Sequence, residues 1–199
     1  NTEIVKFLMN KKANFNKKDK NGYTALMYSV LNDNLITTEL LLNAGSNLSK
    51  KNKYVDDNIL FLALSRNEYE IVKIILKFTK TINIKNENGE DPLTISIKKD
   101  NIEVVKLLLN NDADIDIQDK SGNTPLIWAA KNNNRLIVEL LLDYHADEFV
   151  LNDDNKSFYD YLNHKNKKYF IREYPNKIYN SILHWYKKPF SKFVTEFNL

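Results

Sequence analysis

The sequence predicts an all-α fold, a solenoid of stacked helix-turn-helix units, and three observations predict it. A helix-capping residue recurs at Thr24, Asn58, Asp91, Thr124 and Ser157, at intervals of 34, 33, 33 and 33 residues. A pair of apolar residues keeps the same beat at Leu8-Met9, Leu41-Leu42, Ile75-Leu76, Leu108-Leu109 and Leu141-Leu142. Between these marks the apolar residues fall at helical spacing, as in Ile102, Val105, Leu108 and Leu109, and again in Ile137, Leu140, Leu141 and Leu142.

The chain opens inside a second helix, Thr2 to Met9, without an initiator methionine, and is read as a fragment or processed form of a longer array. Each later unit begins with a turn. Gly22, Gly89 and Gly122 stand two residues before their caps, with Asp56 and Asn155 in the equivalent places, and these residue types tolerate a positive φ. The cap follows, and its side-chain oxygen accepts a hydrogen bond from a free N–H at the helix start. Pro92 and Pro125 come next, at the first helical position, where the missing donor costs nothing. One turn further on, Ser29, Ala63, Ser96 and Ala129 are small, as close approach of neighbouring helices requires. Leu162 holds that place in the last unit, so no ordinary repeat is expected after it. The second helix then carries the paired apolar residues. Helices this short cannot bury their apolar faces alone, so stability has to come from stacking.

The resulting units lie near 20-52, 53-85, 86-118 and 119-151, after a partial unit 1-19 and before a capping unit 152-174. The segment 175-199 is expected to pack as a basic, aromatic helical extension on the last repeat, with Ile178, Ile182, Trp185 and Tyr186 on one face. From Lys156 onward nine Lys or Arg face three acidic residues, whereas the chain as a whole has a net charge of only +3. Basic residues among aromatics can bind single-stranded nucleic acid. A terminal cap with an apolar inner face explains the same residues better, so nucleic acid is the disfavoured partner.

The stretches DKNGYTALMYS, NENGEDPLTIS and DKSGNTPLIWAA, with helices such as IEVVKLLLNNDADIDIQDK, resemble the ankyrin repeat over about residues 1 to 174. The resemblance implies β-hairpin finger loops, two antiparallel helices per unit and a return loop. It also implies a non-catalytic module that grips a protein or peptide partner with its finger tips and the exposed shoulders of its first helices, along a concave groove. Carried onto this sequence, the fingers contribute Lys20, Asn21, Tyr23, Lys53, Tyr54, Asp57, Glu87, Asn88, Glu90, Lys120, Ser121 and Asn123. The shoulders contribute Leu31, Asn32, Ser65, Arg66, Lys98, Lys99, Lys131 and Asn132, with Tyr28 and Trp128 at one shared place. Tyr23 and Tyr54 are the sharpest candidates, and their replacement by alanine is expected to spare stability. The unit around Asn58 has lost its glycine and gained one residue after Gly45, so its finger is expected to be irregular.

Composition excludes several classes. There is no Cys, hence no disulfide, thiolate metal site or cysteine nucleophile. No apolar run reaches the roughly 18 residues of a membrane span. His145, His164 and His184 accompany no hydrolase, nucleotide-binding or zinc motif, and His145 is read as a helix C-cap in the place of Gly45. Asp112, Asp114, Asp116 and Asp119 share one loop but lack the glycine and terminal glutamate of a calcium loop, so a solvated hairpin is expected. No catalytic residue, metal or cofactor is expected. Lysine outnumbers arginine 26 to 3 among many Asn and Ile residues, the signature of an AT-rich genome. The partner surface is mixed in charge, which suits a folded protein or amphipathic peptide. The expectation is a soluble, intracellular monomer. The alternatives are the recognition arm of a larger enzyme, a host-directed effector, or a spacer.

Overall fold

The computed structural model describes residues 2-48, 58-79 and 81-175 of the chain. Those residues form eleven helices and no β-strand, and none of the helices is long and apolar enough to cross a membrane. The chain divides into two compact modules, Asn1–Ala113 and Asp114–Leu199.

In the N-terminal module, α1 (Thr2–Asn10) precedes three helix pairs. These are α2 (Ala25–Leu31) with α3 (Leu35–Asn43), α4 (Ile59–Arg66) with α5 (Tyr69–Phe78), and α6 (Pro92–Lys98) with α7 (Ile102–Leu109). First helices stack on first helices, α2 on α4 on α6, and second on second, α1 on α3 on α5 on α7. The C-terminal module holds α8 (Pro125–Lys131) with α9 (Arg135–Asp143), and α10 (Phe158–Tyr161) with α11 (His164–Glu173), α10 lying on α8.

The caps start the first helices as the sequence requires. Thr24 accepts from the Met27 N–H (3.3 Å), Asn58 from Leu60 (3.1 Å), Asp91 from Leu93 and Thr94 (2.8 and 3.0 Å), and Thr124 from Ile127 (3.2 Å). At Ser157 the N–H and the hydroxyl both donate to Asp160 Oδ2. A second series of caps, absent from the sequence reading, starts the second helices. Asn34, Asn101, Asn134 and Asn163 each accept an N–H three residues on. Only α5, after Glu68, lacks such a side-chain cap among these pairs.

Just ahead of those second helices, Asp33, Asn67, Asp100 and Asn133 all have positive φ, between 51° and 61°. Asp and Asn adopt this region more readily than most residues, so they turn the chain between helices. They also join neighbouring repeats. Arg66 donates twice to the Asp33 carboxylate (3.2 and 2.8 Å), the Asn101 amide donates to Asn67 Oδ1 (2.7 Å), and the Asn166 amide to Asn133 Oδ1 (2.7 Å). On the return loops, Asn47 N–H donates to Asn16 Oδ1 (2.9 Å) and Asp147 N–H to Asp116 Oδ1 (2.8 Å). Lys12, Gly45, Asp112 and His145 hold positive φ after four second helices, which is the C-cap geometry read for His145.

Ser29, Ala63, Ser96 and Ala129 are buried where helices approach. The Ser29 hydroxyl donates to Leu26 O (2.8 Å) and accepts from the Thr38 hydroxyl (2.9 Å), so its burial leaves no polar group unmet. Leu162 departs from that pattern for a reason the sequence did not show: α10 is a single turn, and Leu162 is its buried C-cap rather than a residue within a helix. Phe158, Phe170 and Ile171 join it in the core of this last helix pair. The face of α1 is open, with Ile4 55% and Phe7 59% exposed. Residues 49-57, where an irregular finger is expected, and 176-199, where most of the helical extension is expected, lie outside the described residues.

Candidate functional site

Each described finger is a tight turn held by one side chain. Asp19 Oδ1 accepts the N–H groups of Asn21 and Tyr23 (2.9 and 2.8 Å), and Asp119 Oδ1 those of Ser121 and Asn123 (2.9 and 2.9 Å). Asn86 and Asn152 do the same in their own turns. The backbone closes beneath, from Asp19 N–H to Tyr23 O (2.9 Å) and from Gly22 N–H to Asp19 O (3.0 Å), with equivalent pairs in the other fingers. The loop closes within five residues, too few to continue into the strand ladder of a hairpin. Asx turns of this kind fix the tip without any partner.

Three of these four residues, Asp19, Asp119 and Asn152, also reach an aromatic nine positions on. Tyr28 Oη donates to Asp19 Oδ2 (2.7 Å), Trp128 Nε1 to Asp119 Oδ2 (2.8 Å), and Asn152 Nδ2 to Tyr161 Oη (2.8 Å). The finger is thereby tied to its own first helix. Tyr28's hydroxyl, helped by the turn N–H groups, holds the Asp19 carboxyl below the usual carboxylate range, and Asp19 pushes the phenol up in return. Burial raises Asp119, yet the Trp128 N–H and the turn N–H groups outweigh it and leave the carboxyl below its usual range.

Sequence reasoning missed Asp19, Asn86, Asp119 and Asn152 as the residues that set the site. Their signal was present, an Asp or Asn three residues before the turn glycine or its substitute, on the 33-residue beat.

Against this frame the anticipated contact residues separate. Lys20, Asn21, Glu87, Asn88, Lys120 and Ser121 are exposed at the tips. Tyr23 is half-buried, its ring 5.3 Å from that of Tyr28, and this packing argues against the expectation that its replacement by alanine spares stability. Asn123 is a larger departure. It is 2% exposed, because its amide donates to both oxygens of Asp119 and its Oδ1 accepts from Lys131 (2.7 Å) and Asn152 (2.9 Å). Glu90 is half-buried and paired with Lys98, eight residues on, as Asn123 is with Lys131. Burial raises the Glu90 carboxyl, but Lys98 and Asn86 outweigh that and hold it below its usual range. Lys131 lies over the rings of Trp128 (4.8 Å) and Tyr161 (4.6 Å). Lys53, Tyr54 and Asp57 lie outside the described residues.

The basic aromatic stretch, as far as it is described, packs inward. Tyr159 and Phe170 are buried, and Tyr161, Tyr169 and Tyr174 are half-buried. Tyr169 covers Arg135 at 4.4 Å, and the Phe170 ring packs against Tyr174. In the acidic loop Asp116 is occupied by Asp147 N–H and Asp119 by the turn, so each has a structural use.

A family model of ankyrin repeats in three copies matches residues 1-86 and 60-153. A Fowlpox virus (strain NVSL) protein named as an ankyrin repeat protein is 30% identical over 86 residues, which is 43% of this chain and 20% of the relative's length. The chain therefore matches about a fifth of that relative. Among solved structures, the ankyrin repeat protein EF0377 is 27% identical, with a TM-score of 0.76 over 86% of this chain and 91% of its own. The ankyrin repeat domain of Bcl-3, an IkappaB-family member, shares the fold at 23% identity, with a TM-score of 0.74 over 86% of this chain and 78% of its own.

Proposed function

The chain belongs to the ankyrin-repeat family, and from that premise we propose that it is a non-catalytic module that binds a protein or peptide partner through its finger tips and first-helix shoulders. Ankyrin repeats are generally protein-interaction modules and typically lack enzymatic activity of their own. One observation carries the reading for this chain. Tip residues stand exposed on turns that are already closed by Asp19, Asn86 and Asp119, so a partner meets side chains whose backbone costs little further entropy to order.

Charge supports a protein over a polyanion. Lys20, Glu87 and Lys120 alternate in sign along the sequence, and such patterns favour partners of matching mixed charge. The inward packing of Tyr159 and Phe170 removes those two rings as stacking platforms for bases.

The test is affinity capture with the wild-type chain and with a Lys20→Glu/Glu87→Lys/Lys120→Glu variant, retained proteins being identified by mass spectrometry. The expected result is a protein held by the wild type and lost by the variant. Melting should barely move, since exposed substitutions stay within about 0.5 kcal/mol. Identical retention by both chains, or retention of nucleic acid alone, sinks this assignment.

A further inference from the structure

We infer that Lys131 is an anchor for a single carboxylate side chain on the partner, a deepening that rests on the protein-binding reading above. The ammonium lies 4.8 Å from the Trp128 ring centre and 4.6 Å from that of Tyr161, and it donates to Asn123 Oδ1 at 2.7 Å. Every wall of this setting is itself braced. Trp128 is tied to Asp119, Tyr161 to Asn152, and Asn152 also to Asn123 Oδ1 at 2.9 Å.

What Lys131 lacks among the described residues is a carboxylate within ion-pair distance. At the equivalent place one repeat earlier, Lys98 is paired with the Glu90 carboxylate. In the C-terminal module Asn123 replaces that glutamate, and the ion pairs of Arg135 with Glu139 and of Arg172 with Glu173 do not involve Lys131. An amide oxygen occupies only one of the three donors of the Lys131 ammonium. The rings fix the long side chain, so the rotamer entropy that weakens an exposed ion pair is already spent. Lys156 lies against the same Tyr161 ring at 5.6 Å and adds a second positive charge.

The surroundings decide what kind of anion fits. Residues 119-131 and 152-161 hold three lysines but four aspartates, Asp119, Asp153, Asp154 and Asp160. A polyanion would meet net negative charge there. One Asp or Glu in an otherwise neutral or apolar segment meets that repulsion with a single charge, set against the close Lys131 ammonium, and its apolar neighbours can rest on the half-exposed Trp128 and Tyr161. The occupant is thus a peptide with one acidic side chain beside apolar ones.

The experiment is selection of phage-displayed random dodecapeptides on the full chain and on Lys131→Met, with Lys156→Met as a second variant in case the first does not melt cooperatively. Wild type should enrich one Asp or Glu position, and Lys131→Met should not. A synthetic peptide from that pool should bind Lys131→Met about tenfold more weakly. Exchanging its acid for the corresponding amide should weaken binding to wild type similarly, and the two changes should not add, as expected of a contacting pair. With Lys156→Met, a smaller but measurable loss is expected. Peptides recovered equally by wild type and variant, or lacking an acidic position, overturn the inference while leaving the protein-binding reading intact. Recovery of no peptide also overturns it, and the broader reading then falls only if the tip-variant capture fails too.

Discussion

Gly122 shows two requirements meeting in one residue. Its φ is +71°, and a Cβ placed there would lie 2.8 Å from Asp153 Oδ1, 3.0 Å from the Asp153 backbone nitrogen and 3.1 Å from Asn152 Cα. Ser121 O accepts from that same Asp153 N–H (3.1 Å), so the next loop cannot retreat without losing a bond. Gly45, at φ +83°, has nothing within 4 Å, and its counterparts Lys12, Asp112 and His145 adopt positive φ with full side chains. Gly45→Ala should therefore cost only the backbone preference, about 1 kcal/mol. Gly122→Ala should cost clearly more, because strain and close contact act together, and urea midpoints of the two variants make the comparison. Equal midpoints would mean that the close approach of Asp153 is not a constraint.

At the scale of the element, α6 starts at a carboxyl placed in its buried N-cap. Burial pushes the Asp91 carboxyl above its usual range, although the Thr94 hydroxyl and the N–H groups of Thr94 and Leu93 pull the other way. The native state therefore holds this proton more tightly than the unfolded chain does. Its contribution to stability must fall as pH rises from the ordinary carboxylate value, about 4, through the raised native value, and then level off. Asp91→Asn cannot titrate. Denaturant melts across acidic to neutral pH should show wild type losing stability relative to Asp91→Asn over that window. Parallel curves would show that Asp91 is not titrating as a buried group. The cap itself was legible in the sequence because Asp, then Pro92, is a helix start. Its burial was not, since that comes from the neighbouring helices.

For the whole molecule, stability in stacked repeats is a sum of weak helix pairs and the interfaces between neighbours. In the N-terminal module α4 is in contact with α2, α5 and α6, and Leu60 within it is fully buried. Leu60→Ala should cost about 2–5 kcal/mol by lost burial and the cavity left behind. Ile36, 62% exposed on α3, should cost about 0.5 kcal/mol on the same change. Circular-dichroism melts of both variants test this, and similar losses would contradict the stacking shown for α4.

The sequence by itself determined the repeat, its register and the starts of the first helices. Those features are local: a hydrogen bond from cap to N–H, a proline at the first helical position, a glycine or asparagine at positive φ, and an apolar period of 3.6 residues. Only the tertiary structure decided which finger residues remain for a partner. Asn123 and Glu90 looked like tip residues by position, yet each turns back to a lysine on its own first helix, and Tyr23 packs on Tyr28. The physical reason is that a side chain's exposure depends on what reaches it from elsewhere in the chain. The spacing along the sequence fixes where Asn123 begins, but Asp119, Lys131 and Asn152 together decide that it is buried.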